Sequence, residues 1–151
     1  MLTRRTTLGL IAAGPVLGLA PAALRAAEPP IYTEGGIAID GSDTVAYFTE
    51  GRLVAGVAGI TAEWMGVTWH FASVANQGVF MTDPDRYAPV FGGYCAFAAA
   101  RGYIAPTVPE AWTIYEGRLF LNFSLRIRRR WLDEVPEAIT AGEANWPGIL
   151  G

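Results

Sequence analysis

The sequence predicts an α+β domain. Two segments, 61–71 and 112–123, have the composition of β-hairpins: short apolar-aromatic runs interrupted by Met65-Gly66 and Glu116-Gly117. Glycine at such a point supplies the positive φ that a tight two-residue turn needs. The stretches between and after them carry helix-capping signals. Strand-like and helix-like segments do not alternate as regular βαβ units, so a doubly wound parallel sheet is not expected. Half of the chain is hydrophobic, with five Trp and seven Phe, which favours a packed core over disorder.

Taken in order, Gly35 to Gly41 reads as a short strand between turns. Ser42 or Asp43 can cap a short helix over Thr44 to Phe48, because a side-chain oxygen there accepts from free backbone N–H groups. Gly51 ends that helix. In the first hairpin, Val67, Trp69 and Phe71 fall on one face of the second strand, and Thr68 and His70 on the other. Ser73 caps a helix from about Val74 to Thr82, with Val79 and Phe80 as core anchors. Asp83-Pro84 begins a turn in which Pro84 suits a first helical position. Gly92-Gly93 reads as a hinge that opens a short helix through Cys95 to Ala100, ended by Gly102. After the second hairpin, Ser124 caps a helix to about Glu134 with Leu125, Ile127 and Trp131 as its apolar positions. Pro136 starts a last helix to about Asn145. The two hairpins should share a core with the helices after Ser73 and Ser124. Trp69, Phe71, Phe80, Leu121 and Trp131 should be buried.

Residues 1–27 have a different character. Arg4-Arg5 is followed by an apolar Gly- and Ala-rich stretch from Leu8 to about Leu24, too short for a stable bilayer anchor. This layout is that of a secretory signal, and the arginine pair after Thr3 favours the twin-arginine type. Cleavage is expected after Ala22, or after Ala26 or Ala27, which places the mature domain at 28–151 and its location in the periplasm. Without Arg4, Arg5 and Arg25, the 11 basic residues fall to 8 against 14 acidic ones, a balance of −6. An acidic domain argues against nucleic-acid binding. The basic run Arg126 to Arg130 is too short for a groove-tracking surface.

Several motifs recur in a known order. Gly66-Val67-Thr68-Trp69-His70-Phe71-Ala72-Ser73, followed by Phe80, Pro84 and Tyr87, resembles the YHS family. The longer, exported branch of that family is closer still. It has counterparts of Asp40 to Phe48, of Gly92-Gly93-Tyr94-Cys95-Ala96, of the hairpin Trp112 to Asn122, and of the ending Ala144 to Pro147. The resemblance covers nearly all of residues 28–151. It implies a small metal-associated domain, but not the thiolate site of the short family members, because Ala72 and Asn76 stand where those carry cysteines. One Cys and one His cannot supply the four N or S ligands of a closed zinc site.

Cys95 is the one cysteine, so no disulfide forms within the chain. Its place at a helix start would lower the thiol pKa and suit a soft metal or a nucleophile. The alternative is a small buried residue in an alanine-rich helix. His70, the one histidine, is either a surface or hydrogen-bonded residue or a ligand. Together the thiolate and the imidazole make the softer half of a copper site. Asp43, Met65 or Met81 could add a ligand, though Asp43 also has the simpler role of helix cap. Trp64, Trp69, Trp112 and Tyr115 read as core or hairpin aromatics, with a ligand-stacking surface as the lesser alternative.

Three functions follow from these residues. The first is a non-catalytic protein that binds a transition metal, copper above all, through Cys95 and His70, with a metal-handling protein as its partner. The second is a redox or nucleophilic enzyme using Cys95. The third is an interaction module without chemistry. No nucleophile elbow and no phosphate-binding glycine loop is present. A shared metal site requires Cys95 and His70 to converge within about 4 Å.

Overall fold

The computed structural model describes residues 25–151. The proposed leader, apart from Arg25 to Ala27, therefore lies outside the described residues. The first sheet has strands β1 (Thr33–Glu34), β2 (Ile37–Ala38), β3 (Val57–Trp64) and β4 (Val67–Phe71), in the order β1-β2-β4-β3. β3 and β4 form the first hairpin, with Trp64 opposite Val67 and Thr61 opposite His70. β5 (Trp112–Tyr115) and β6 (Arg118–Leu121) form the second hairpin as a separate two-stranded sheet. Six helices accompany them: α1 (Thr44–Thr49), α2 (Val74–Thr82), α3 (Pro84–Tyr87), α4 (Ala96–Ala99), α5 (Leu125–Leu132) and α6 (Glu137–Asn145). The architecture is α+β.

The capping logic of the sequence is visible in the geometry. Ser73 Oγ accepts from the Asn76 N–H at 3.1 Å, and Ser124 Oγ from the Ile127 N–H at 3.1 Å, so each serine satisfies a donor that the first turn leaves free. Of the two cap candidates before α1, Asp43 is the cap: its Oδ1 accepts from Val45 and Ala46. Pro84 opens α3 as expected.

Packing makes two adjoining cores. The first gathers Tyr47, Trp69, Phe71, Phe80, Leu119 and Leu121 beneath the four-stranded sheet. The second gathers Phe91, Cys95, Phe97, Phe120, Trp131 and Ile139 between α4, α5 and α6. Strand alternation along β6 links them: Leu119 and Leu121 enter the first core, and Phe120 enters the second. The five residues expected to be buried are all at most 1% exposed.

Three local expectations need correction. Val79 is 39% exposed, because on α2 only Phe80 turns into the core. Leu125 is 51% exposed, because the inward face of α5 is set by Ile127 and Trp131. The two glycines do not open α4. They close a 3-10 turn over Val90–Gly93 in which Phe91 and Gly92 have positive φ, and the helix starts at Ala96. Gly92 is required there: a Cβ would collide with the Pro30 carbonyl oxygen, and Gly92's own carbonyl accepts from the Tyr32 N–H at 2.9 Å. Among the described residues, no helix is long and apolar enough to cross a membrane.

Candidate functional site

Cys95 is the N-cap residue of α4 and is 1% exposed. Its Sγ donates to Asn122 Oδ1 at 3.6 Å and accepts from the Phe123 N–H at 3.3 Å. Asn122 Oδ1 also accepts from the Phe97 N–H at 3.1 Å, which fixes the orientation of the amide. Asn122 is fully buried, and its Nδ2 has no partner among the described residues. The thiol is thus one member of a small polar network that ties α4 to the end of β6 inside an apolar core. The sequence offers Asn122 only as part of the second hairpin, with no local signal for this role.

His70 occupies a different place. It is half-buried on β4, on the face away from Trp69 and Phe71. Its ring lies against Gly41, and its Cβ and backbone lie against Gly56, where an added Cβ would come within 2.7 Å of the Gly41 carbonyl oxygen and the His70 carbonyl carbon. Trp69 and Phe71 point into the core that holds Leu121, and Leu121 bridges to Cys95. Imidazole and thiol thus belong to different packing environments, and among the described residues no hydrogen bond joins them. Period-2 alternation turns the imidazole to the face of β4 away from Trp69 and Phe71, so His70 and Cys95 sit in different surroundings, the one against Gly41 and Gly56 and the other against Asn122 and Phe123.

The suggested extra ligands do not complete a site either. Asp43 is fully buried, but its carboxylate is already engaged by four donors: Val45 and Ala46 N–H on Oδ1, and Ala72 N–H at 2.8 Å and Asn76 Nδ2 at 2.7 Å on Oδ2. It joins α1, β4 and α2 at one point. Met81 is exposed on α2, and Met65 is exposed at the tip of the first hairpin. Among the described residues no group of three or more His, Cys, Asp or Glu side chains could hold a metal ion.

The tips of the two hairpins instead define an open cleft of about 540 Å³. Trp64 and Met65 line it from the first hairpin, and Gly117 and Arg118 from the second. Its floor is Val90, Phe91 and Gly92, and Trp146 at the end of α6 closes one side. Phe91 and Trp146 pack with ring centres 5.9 Å apart, and Phe91 rests on Gly142, where a Cβ would meet its ring at 2.6 Å. Arg86 and Asp85 sit on the rim. Arg86 has no ion-pair partner among the described residues, whereas Arg118 pairs with Glu143 at 2.7 Å.

Left-handed backbone occurs in and beside this cleft and also at Ile39-Asp40. Among the described residues, five non-glycine residues have positive φ: Ile39, Asp40, Met65, Phe91 and Glu116. Met65 and Phe91 line the cleft, and Glu116 immediately precedes Gly117. Each such residue costs of order 1–2 kcal/mol relative to a right-handed conformation, and strain of this kind tends to be retained where a surface is shaped for use. The sequence showed the two turns but not that they face one another, because 52 positions separate Met65 from Gly117. No family model, curated protein or solved structure matches this chain.

Proposed function

We propose that the protein is an exported, YHS-like, non-catalytic binding module, with the cleft between its hairpin tips as the binding element. The observation that carries this is the shape and lining of that cleft: Trp64, Met65 and Trp146 offer apolar and aromatic surface over the buried Phe91, and Arg86, without an ion-pair partner among the described residues, stands at the rim beside Asp85. Concave surface in which apolar side chains are joined by a few polar groups is a usual form of ligand site, and here apolar and polar lining are mixed. It suits an amphipathic ligand with an apolar or aromatic body and an anionic end. The YHS-like motifs support the domain assignment, and the Arg4-Arg5 leader pattern supports export to the periplasm. Cys95 serves the fold in this reading. Its sulfur is covered and already hydrogen-bonded, so it is poorly placed as a nucleophile or as a copper ligand.

Titration with 8-anilinonaphthalene-1-sulfonate, an apolar aromatic anion, tests the proposal on the folded protein. One probe should bind per chain, and Met65→Glu should weaken it about tenfold by placing a like charge against the anion. Unchanged affinity in Met65→Glu would remove the cleft from the account. Copper titration of untagged protein distinguishes the rival: one copper per chain, lost in Cys95→Ser, would return the function to metal binding.

A further inference from the structure

The basic run Arg126 to Arg130 has no part in the cleft. Helix α5 advances about 100° per residue, and the side chains sort accordingly. Leu125, Arg126, Arg129 and Arg130 are exposed and occupy one contiguous outward arc of about 140°. Trp131 is buried and Ile127 and Arg128 are half-buried on the other side. Arg128 is drawn inward, where its Nε donates to the Trp112 carbonyl at 2.5 Å and to Thr113 Oγ1 at 2.8 Å. Phe123, just before the Ser124 cap, is 53% exposed, and Leu125, just after it, is 51% exposed.

Among the described residues, Arg126, Arg129 and Arg130 have no ion-pair partner. Arg130 lies over the Phe97 ring at 4.9 Å, and Asp133 stands a turn beyond Arg129 without pairing to it. Glu134, the other nearby acid, is engaged by Arg101 at 2.9 Å. Three guanidinium groups without an ion-pair partner, Arg130 resting on Phe97, therefore share the outward arc of α5 with exposed Leu125, and exposed Phe123 lies two residues before it, on a domain whose 28–151 balance is −6.

We infer that this face of α5 docks on the surface of an anionic phospholipid bilayer. The arginines meet lipid phosphates, and Phe123 and Leu125 enter the boundary between headgroups and acyl chains. A purely acidic protein partner would use the charges but has no need of exposed Phe and Leu at the edge of the patch. A polyanion such as nucleic acid would equally leave them in water. Basic side chains beside exposed apolar ones combine attraction to anionic lipid with burial of apolar area, the two contributions that hold a protein in a membrane interface. Each basic residue near such a surface contributes about fivefold in affinity. Three of them with two apolar side chains make a reversible, salt-sensitive attachment.

Sedimentation with vesicles decides it, using protein from the soluble fraction whose N-terminus has been fixed by intact mass. Residues 1–27, where retained, are common to every variant and cancel. The protein should sediment with vesicles of equal parts phosphatidylglycerol and phosphatidylcholine in low salt. It should stay in solution with pure phosphatidylcholine, or at half-molar sodium chloride. Arg126→Glu and Arg129→Glu should each weaken binding about tenfold, and Phe123→Ser or Leu125→Ser about threefold or more. Arg52→Glu changes net charge equally on another surface and should leave binding within twofold. The altered side chains are exposed, and melting curves matching the parent would establish that each variant is folded. Absence of binding in low salt overturns the inference. So does an Arg52→Glu effect equal to that of Arg129→Glu, which would mean overall charge alone. Charge reversals that abolish binding while Phe123→Ser and Leu125→Ser do nothing would show polyanion binding and overturn the bilayer as partner.

Discussion

Asp43 shows how much one side chain can organise. A fully buried carboxylate is costly unless its lone pairs are used, and here four N–H donors use them, two from α1, one from Ala72 just after β4 and one from the Asn76 side chain on α2. The carboxylate is the only acceptor these four groups share, so removing it orphans several buried donors at once. Asp43→Asn turns one acceptor oxygen into a donor aimed at the Ala72 N–H and the Asn76 amide. That change should lower unfolding stability by about 2–3 kcal/mol, measured by urea denaturation. A loss under about 0.5 kcal/mol would mean that water takes over the carboxylate's role. The sequence allowed Asp43 as a cap but not as a junction, because Ala72 and Asn76 lie 29 and 33 positions away. The opposite happened with His70. Alternation along Val67 to Phe71 already put its ring on the face away from Trp69 and Phe71. Whether that face also meets Cys95 was not legible, because it depends on how residues 73–95 return to the sheet.

At the scale of elements, caps and hairpins were legible because they are local. Ser73, Ser124 and Pro84 act within one turn of themselves, and each hairpin pairs neighbours in sequence. The cleft was not legible, because it exists only once two distant turns and Trp146 are assembled. Its turns also carry a signal of their own. Positive φ at both central residues, 56° and 73° at Met65-Gly66 and 47° and 73° at Glu116-Gly117, makes both turns type I′. Asparagine tolerates the first of these positions far better than Met or Glu. Met65→Asn and Glu116→Asn should therefore each stabilise the fold by about 0.5–1 kcal/mol, raising Tm by about 2–5 °C. Only Met65→Asn should also weaken 8-anilinonaphthalene-1-sulfonate binding, since Met65 lines the cleft and Glu116 does not. Equal loss in both variants would trace the effect to turn geometry and not to the Met65 side chain.

The whole molecule holds two cores whose independence is limited by one strand. β6 supplies Leu119 and Leu121 to the core under the larger sheet, and Phe120 to the core among the helices, all three fully buried or nearly so. Asn122 extends the connection, because its amide oxygen holds both the Cys95 thiol and the Phe97 N–H. Opening either core requires β6 to lose its position, which exposes side chains of the other. A molecule of this size with separable cores would unfold in two steps, whereas a shared strand couples them into one. Phe120→Ala tests the coupling. The ring packs against Trp131 at 5.0 Å between ring centres and against Phe91 at 6.0 Å, and its loss leaves a cavity worth about 3–5 kcal/mol. The whole transition should move to lower denaturant with its slope unchanged, and tryptophan fluorescence should coincide with far-ultraviolet circular dichroism. Trp69 reports on the first core and Trp131 on the second, so coincident curves mean that both cores fail together. An early fluorescence step confined to part of the signal, with the remainder at the parent midpoint, would instead show that the sheet core stands without the helical one.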